Sequence, residues 1–156
     1  MDGTPEELEA LSQGLRDMSK ELPVSANELA GIAEAAGQLG IETGKIEKFT
    51  EVVAALGVTT NMSAETAAQE FARLANITGM SQDDFDKLGS AIVELGNNYA
   101  TTEAEISTMA LRLAAAGTQV GMSEADILGL SATLSSLGIE AEAGKQSCPT
   151  TWKHVA

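Results

Sequence analysis

The 156 residues carry 23 acidic against 9 basic side chains, a formal charge of −14, and are 44% apolar but only 3% aromatic. That length and apolar share suit one compact domain with a sizeable core, while the charge repels phosphates and so excludes nucleic-acid binding and docking on anionic membranes by this segment. No apolar run approaches the roughly 20 residues of a membrane span, and the acidic N-terminus lacks the lysine-then-apolar order of a signal peptide.

Thr4-Pro5-Glu6-Glu7 opens the first helix with a hydroxyl N-cap, a proline where no N–H is needed and carboxylates at the positive end of the helix dipole. Leu8, Leu11, Leu15 and Met18 mark its buried side, and Pro23 ends it. A second start follows at Ser25 with Glu28, the spacing of a capping box, giving a hairpin of helices near 26–39 and 44–56. Ser63 and Ser81 begin the helices of a second hairpin, near 64–77 and 82–95. Thr102, with Glu105 in capping-box register, and Ser123 begin those of a third, near 103–116 and 124–137. Gly40, Gly57, Gly79, Gly96 and Gly138 are expected to end helices, because a left-handed glycine followed by an apolar residue is a common C-terminal stop. Gly117 to Gly121 is expected to form a longer turn.

The hairpins are related to one another. Residues 81–96 align without gaps on 42–57 and on 123–138, matching Phe85 with Ile46 and Ile127. The aligned apolar sets are Ile46, Phe49, Val53 and Leu56; Phe85, Leu88, Ile92 and Leu95; and Ile127, Leu130, Leu134 and Leu137. Steps of three, four and three place each set along one helical stripe, expected to be core. The preceding starts, Ser25, Ser63 and Thr102, are 38 and 39 residues apart. A period of about 39 residues with two helices per period marks stacked hairpins that cover one another's apolar faces. The predicted fold is all-α, with about seven helices: three hairpin repeats and an N-terminal helix capping one end, arranged as a solenoid or a bundle. An incomplete array with exposed ends also predicts self-association, of an order the sequence leaves open.

After Gly144 the composition changes. Cys148, Trp152 and His154 are each the only residue of their kind and fall within the last twelve positions. Residues 145–156 show no helical period and no relation to the repeat, so the domain is read as 1–144 and the remainder as a foreign, loosely ordered tail. A lone cysteine forms no internal disulfide.

The body of the chain has neither histidine nor thiol, which removes the partners that nucleophilic triads and dyads need. Cys148 and His154 have no acidic neighbour in the tail, and no zinc-ligand spacing occurs. Asp83, Asp84 and Asp86 form the densest acidic cluster but lack the ligand order and central glycine of a calcium loop, and carboxylates in a first helical turn serve the dipole. The glycines are scattered, with no phosphate-binding loop. The expectation is a protein without catalytic, metal or cofactor sites.

Three segments resemble the core region of tail tape-measure proteins from long-tailed bacteriophages and their prophages. They are Leu15–Ile41 (LRDMSKELPVSANELAGIAEAAGQLGI), Met62–Ala75 (MSAETAAQEFARLA) and Gly121–Gly144 (GMSEADILGLSATLSSLGIEAEAG). The resemblance covers residues 4–144 and stops where the composition breaks, and such proteins are far longer than this chain. It implies a fragment or truncated form of a minor tail protein that templates the tail tube, sets its length with assembly chaperones, and leaves the tube at genome delivery. It also implies tail-tube and chaperone partners, the bacterial cytoplasm during assembly and the virion tail lumen afterwards. The competing reading from the residues alone is an α-solenoid adaptor whose concave face binds a peptide or basic partner.

Overall fold

The computed structural model describes residues 4–139 and is all-α over them. The helices are α1 (Pro5–Glu21), α2 (Ala26–Gln38), α3 (Thr43–Thr59), α4 (Ala64–Thr78), α5 (Phe85–Asn98), α6 (Glu103–Gln119) and α7 (Glu124–Ser136). A 3₁₀ turn over Gln82–Asp84 leads into α5. The proposed tail, residues 145–156, and the boundary at Gly144 lie outside the described residues.

Local chemistry sets the starts. Thr4, Ser25, Thr102 and Ser123 each accept the N–H three residues on, and the carboxylates of Glu7, Glu28, Glu105 and Asp126 accept the cap residue's own N–H in return. Ser63 accepts from the Thr66 N–H. Ser81 differs from expectation: its hydroxyl accepts from Asp83 at 3.3 Å and so caps the 3₁₀ turn, and α5 itself begins only at Phe85.

The stops correct the sequence reading in two places. Gly40, Gly79 and Gly138 are left-handed, at φ +89°, +72° and +74°. At Gly40 and Gly138 the following N–H, of Ile41 and Ile139, reaches back to the carbonyls of Ala36 and Leu134. Gly57 and Gly96, however, lie inside α3 and α5, which continue to Thr59 and Asn98. Their role is space: a Cβ on Gly57 would stand 3.0 Å from the Ala64 Cβ and 3.1 Å from its backbone nitrogen, and one on Gly96 would meet the Glu103 side chain at 2.6 Å. At Gly57 this lets the backbone of the next helix's first turn cross closely, seven residues further along, whereas at Gly96 the neighbour is the movable Glu103 side chain. The longer turn expected from Gly117 to Gly121 is also shorter than that, since α6 runs to Gln119 and Gly121 alone is left-handed.

The helices form two layers. α2, α4 and α6 pack successively in one, and α3, α5 and α7 in the other, with hairpin contacts between layers and α1 lying across α2 and α3 at one end. Between the layers Phe49, Phe71 and Phe85 are completely buried, and the Phe49 and Phe85 rings meet edge-to-face with centroids 4.7 Å apart. Burying side chains of this size contributes about 1.5–3 kcal/mol each relative to exposure.

The first two stripes are core. Ile46, Phe49, Val53 and Leu56 are buried on α3, as are Phe85, Leu88 and Ile92 on α5, and Leu95 is half-buried against them. The third stripe is not: α7 buries Ile127, Leu128, Ser131 and Ala132, while Leu130 and Leu137 are exposed and Leu134 only half-buried. The buried face is turned by about 100°, one residue's step around a helix. The reason is α7's closest neighbour, α6, where Gly117 leaves room for Ile127, whose Cγ1 lies 3.0 Å from the place a Cβ would occupy. No later helix among the described residues covers the side that Leu130 and Leu137 occupy.

Candidate functional site

In a stacked array the surfaces of interest are the seams between units and the two ends. The seam is built from residues about one repeat apart. Gln82, in the 3₁₀ turn, spans the α2–α3 connection: its side-chain oxygen accepts from the Glu42 N–H at 2.9 Å and its amide donates to the Gly40 carbonyl at 3.2 Å. Asn76 donates to the Leu39 carbonyl at 3.2 Å. Further along, Thr108 donates to Glu70 at 3.0 Å and the hydroxyls of Thr101 and Ser135 lie 2.5 Å apart.

The acidic cluster belongs to this seam. Lys45 pairs with Asp83, Lys48 reaches the Asp83 carbonyl at 2.9 Å and the Asp86 carboxylate at 3.3 Å, and Lys87 holds Asp84 at 2.6 Å. Hydrogen bonding to Lys45 lowers the Asp83 carboxyl below its ordinary value, and the same bond raises the Lys45 ammonium. These groups are exposed, so each pair adds little stability alone. Their effect is register: lysines at 45 and 48 face aspartates at 83 and 86, 38 positions on in both cases. The sequence reading assigned these aspartates to the helix dipole and missed the pairing. A search for opposite charges at the repeat offset would have found it.

These contacts pin each unit to the next. Among the described residues no group of three or more His, Cys, Asp or Glu side chains is placed to hold a metal ion, and no helix is long and apolar enough to cross a membrane. Cys148 and His154 lie outside the described residues. An open groove of about 580 Å³ runs between α2, α3 and α4, floored by Ile32, Ala54, Gly57 and Ala68 with Glu28 and Glu65 beside it. Its lining brings two separate carboxylates to an apolar floor and offers no nucleophile paired with a base.

The two ends differ. α1 buries Leu11 and Leu15 and turns charged residues outward, with Lys20 paired to Asp17 at 2.6 Å. α7, the last described helix, has Leu130 and Leu137 exposed, with Ile139 exposed just after it.

Comparison with protein families matches residues 12–147, most of the chain, to the family described as phage-related minor tail protein. No curated protein and no solved structure gives a significant match. With the helical fold and the repeat in hand, the family match identifies the chain as a member of the phage-related minor tail protein family.

Proposed function

We propose that this chain is a segment of a tail tape-measure protein, the minor tail protein that templates the tube and sets its length. The observation that carries this reading is the pinned repeat. Each hairpin is fixed to the next by bonds between residues one period apart, as at Gln82 on Gly40 and Glu42, so length is encoded in uniform steps. The motif strings at 15–41, 62–75 and 121–144 support the same reading by resemblance. In this role the protein is structural, without an enzymatic step. It meets tail-tube subunits and assembly chaperones in the bacterial cytoplasm, occupies the tail lumen, and leaves it when DNA enters. A surface of formal charge −14 suits a lumen that DNA crosses, because it does not retain phosphates.

The test is an in-frame deletion of residues 63–101 in the phage gene that encodes this segment, followed by electron microscopy of the tails. The deletion removes one period and brings Thr102 to the position of Ser63, so the caps and close glycine contacts stay in register. If the segment lies extended as helix in the tube, 39 residues at 1.5 Å each shorten the tail by about 58 Å. If it stays folded as a stack, the loss is one helix spacing, about 8–10 Å. Tails of unchanged length overturn the ruler reading, and absence of tails assigns the segment to initiation of assembly instead.

A further inference from the structure

We propose that the open groove between α2, α3 and α4 is a docking site for an amphipathic helix of a partner protein that carries lysine or arginine beside its apolar anchors. The groove measures about 580 Å³, and every residue that lines it lies between Pro23 and Ala68. Its floor is carbon, with Ile32, Ala54 and Ala68 buried beneath it, and Val58 stands at its edge 47% exposed. Its walls are small, with Gly31 on α2 and Ala64 on α4, so the helices leave an opening between them.

The repeat sets this seam apart from the next. Counted from the caps Ser25, Ser63 and Thr102, Gly31 stands where α4 has Gln69 and α6 has Thr108, and Ala35 stands where they have Arg73 and Arg112. Ile32 takes the place of Glu70, whose carboxylate accepts from Thr108 across the following seam at 3.0 Å. α2 thus lacks both the bulk and the guanidinium that α4 and α6 carry at these positions. A Cβ on Gly31 would meet nothing within 4 Å, so the packing of the chain itself does not demand the glycine.

Charge selects the occupant. No lysine or arginine occurs at 21–44 or 49–72, the two stretches that supply the whole lining, and the charged side chains in it are Glu28 and Glu65. Glu28 gives one carboxylate oxygen to the Ser25 cap, and Glu65 has no ion pair among the described residues. A segment that covers the floor takes water from both carboxylates, which costs free energy unless cations of the segment replace it. An apolar face flanked by lysine or arginine meets that requirement, and a neutral or acidic one does not. The described chain is all-α and offers no strand edge to extend, so the mode that fits is a helix laying anchors one turn apart into the groove.

The proposal is independent of the ruler reading, because its readout is binding by the isolated 156-residue chain. The probe is a fluorescein-labelled helical peptide of about 15 residues, with leucines at i, i+3, i+4 and i+7 and lysines beside them, followed by anisotropy. It should bind, while a peptide of the same composition shuffled to destroy the apolar face, and one with glutamate in place of lysine, should bind at least about tenfold more weakly. Gly31→Gln, which leaves the charge unchanged, and separately Ala35→Arg put on α2 the side chains that α4 carries. Each should weaken binding by more than about tenfold while far-UV circular dichroism stays that of the parent chain. Glu65→Gln should weaken binding and lessen its dependence on salt, whereas Glu9→Gln on α1 and Leu137→Glu just after α7 should bind as the parent does. No binding up to about 1 mM, equal binding of the shuffled or the glutamate peptide, binding untouched by both Gly31→Gln and Ala35→Arg, or loss of binding in Leu137→Glu would each overturn the proposal.

Discussion

The two ends of the stack solve the same problem differently. At one end α1 lays Leu11 and Leu15 on the neighbouring helices and shows Glu9, Gln13, Arg16, Asp17 and Lys20 to water, together with Leu8, which was expected on the buried side and is 38% exposed. At the other, α7 buries Ile127, Leu128 and Ala132 and shows Leu130 and Leu137. A repeat array is soluble on its own only where the terminal element has a polar outer face. Among the described helices α1 carries a mostly polar outer face, and α7 an apolar one.

The sharpest break in that comparison comes from the same repeat position at two depths. Leu88→Ala, at a site 3% exposed, should cost about 2–5 kcal/mol in urea unfolding. Leu130→Ala, its counterpart on α7, should stay within about 0.5 kcal/mol when measured on dilute protein. Equal losses at the two positions would mean that α7's outer face is covered within the single chain.

Between these lie the caps. Ser25→Ala removes a hydroxyl that accepts the Glu28 N–H and donates to its carboxylate, and should cost about 1 kcal/mol in the same assay. The caps also set an acid limit. The carboxyls of Glu28, Glu105 and Asp126 are held below their ordinary values of 4.5, 4.5 and 3.8, chiefly by the Ser25 hydroxyl, the Thr102 backbone N–H and the Ser123 hydroxyl respectively. A carboxyl that is more acidic folded than unfolded adds stability above its unfolded value, and that stability is lost as pH falls through the folded one. Thermal melting should therefore drop as pH is taken from above 4.5 to below 3.8, and Glu28→Gln should flatten the drop.

Much of this was legible in the sequence because it is local or periodic. The capping boxes at Ser25 and Thr102, the stripes on α3 and α5 and the helical class follow from spacing alone. Two features did not. Gly57 and Gly96 carry the Leu-Gly signature of a helix stop, yet both lie inside their helices, and at Gly57 the deciding contact is with the Ala64 backbone, across a turn whose crossing angle no local pattern states. The third stripe failed for a related reason: Leu130 and Leu137 match the repeat, but a stripe is buried only where a neighbour exists, and α7 has its chief neighbour in α6. The seam of Lys45 and Lys48 with Asp83 and Asp86 was readable at the repeat offset, as opposite charges 38 positions apart.

The most direct measurement of the difference between α7 and the helices whose repeat stripe is buried is amide hydrogen exchange of the intact chain. Amides of α7 should exchange faster than those of α5, whose Leu88 and Ile92 are buried. Exchange in α7 as slow as in α5 would contradict an outer α7 face left uncovered by the other described helices.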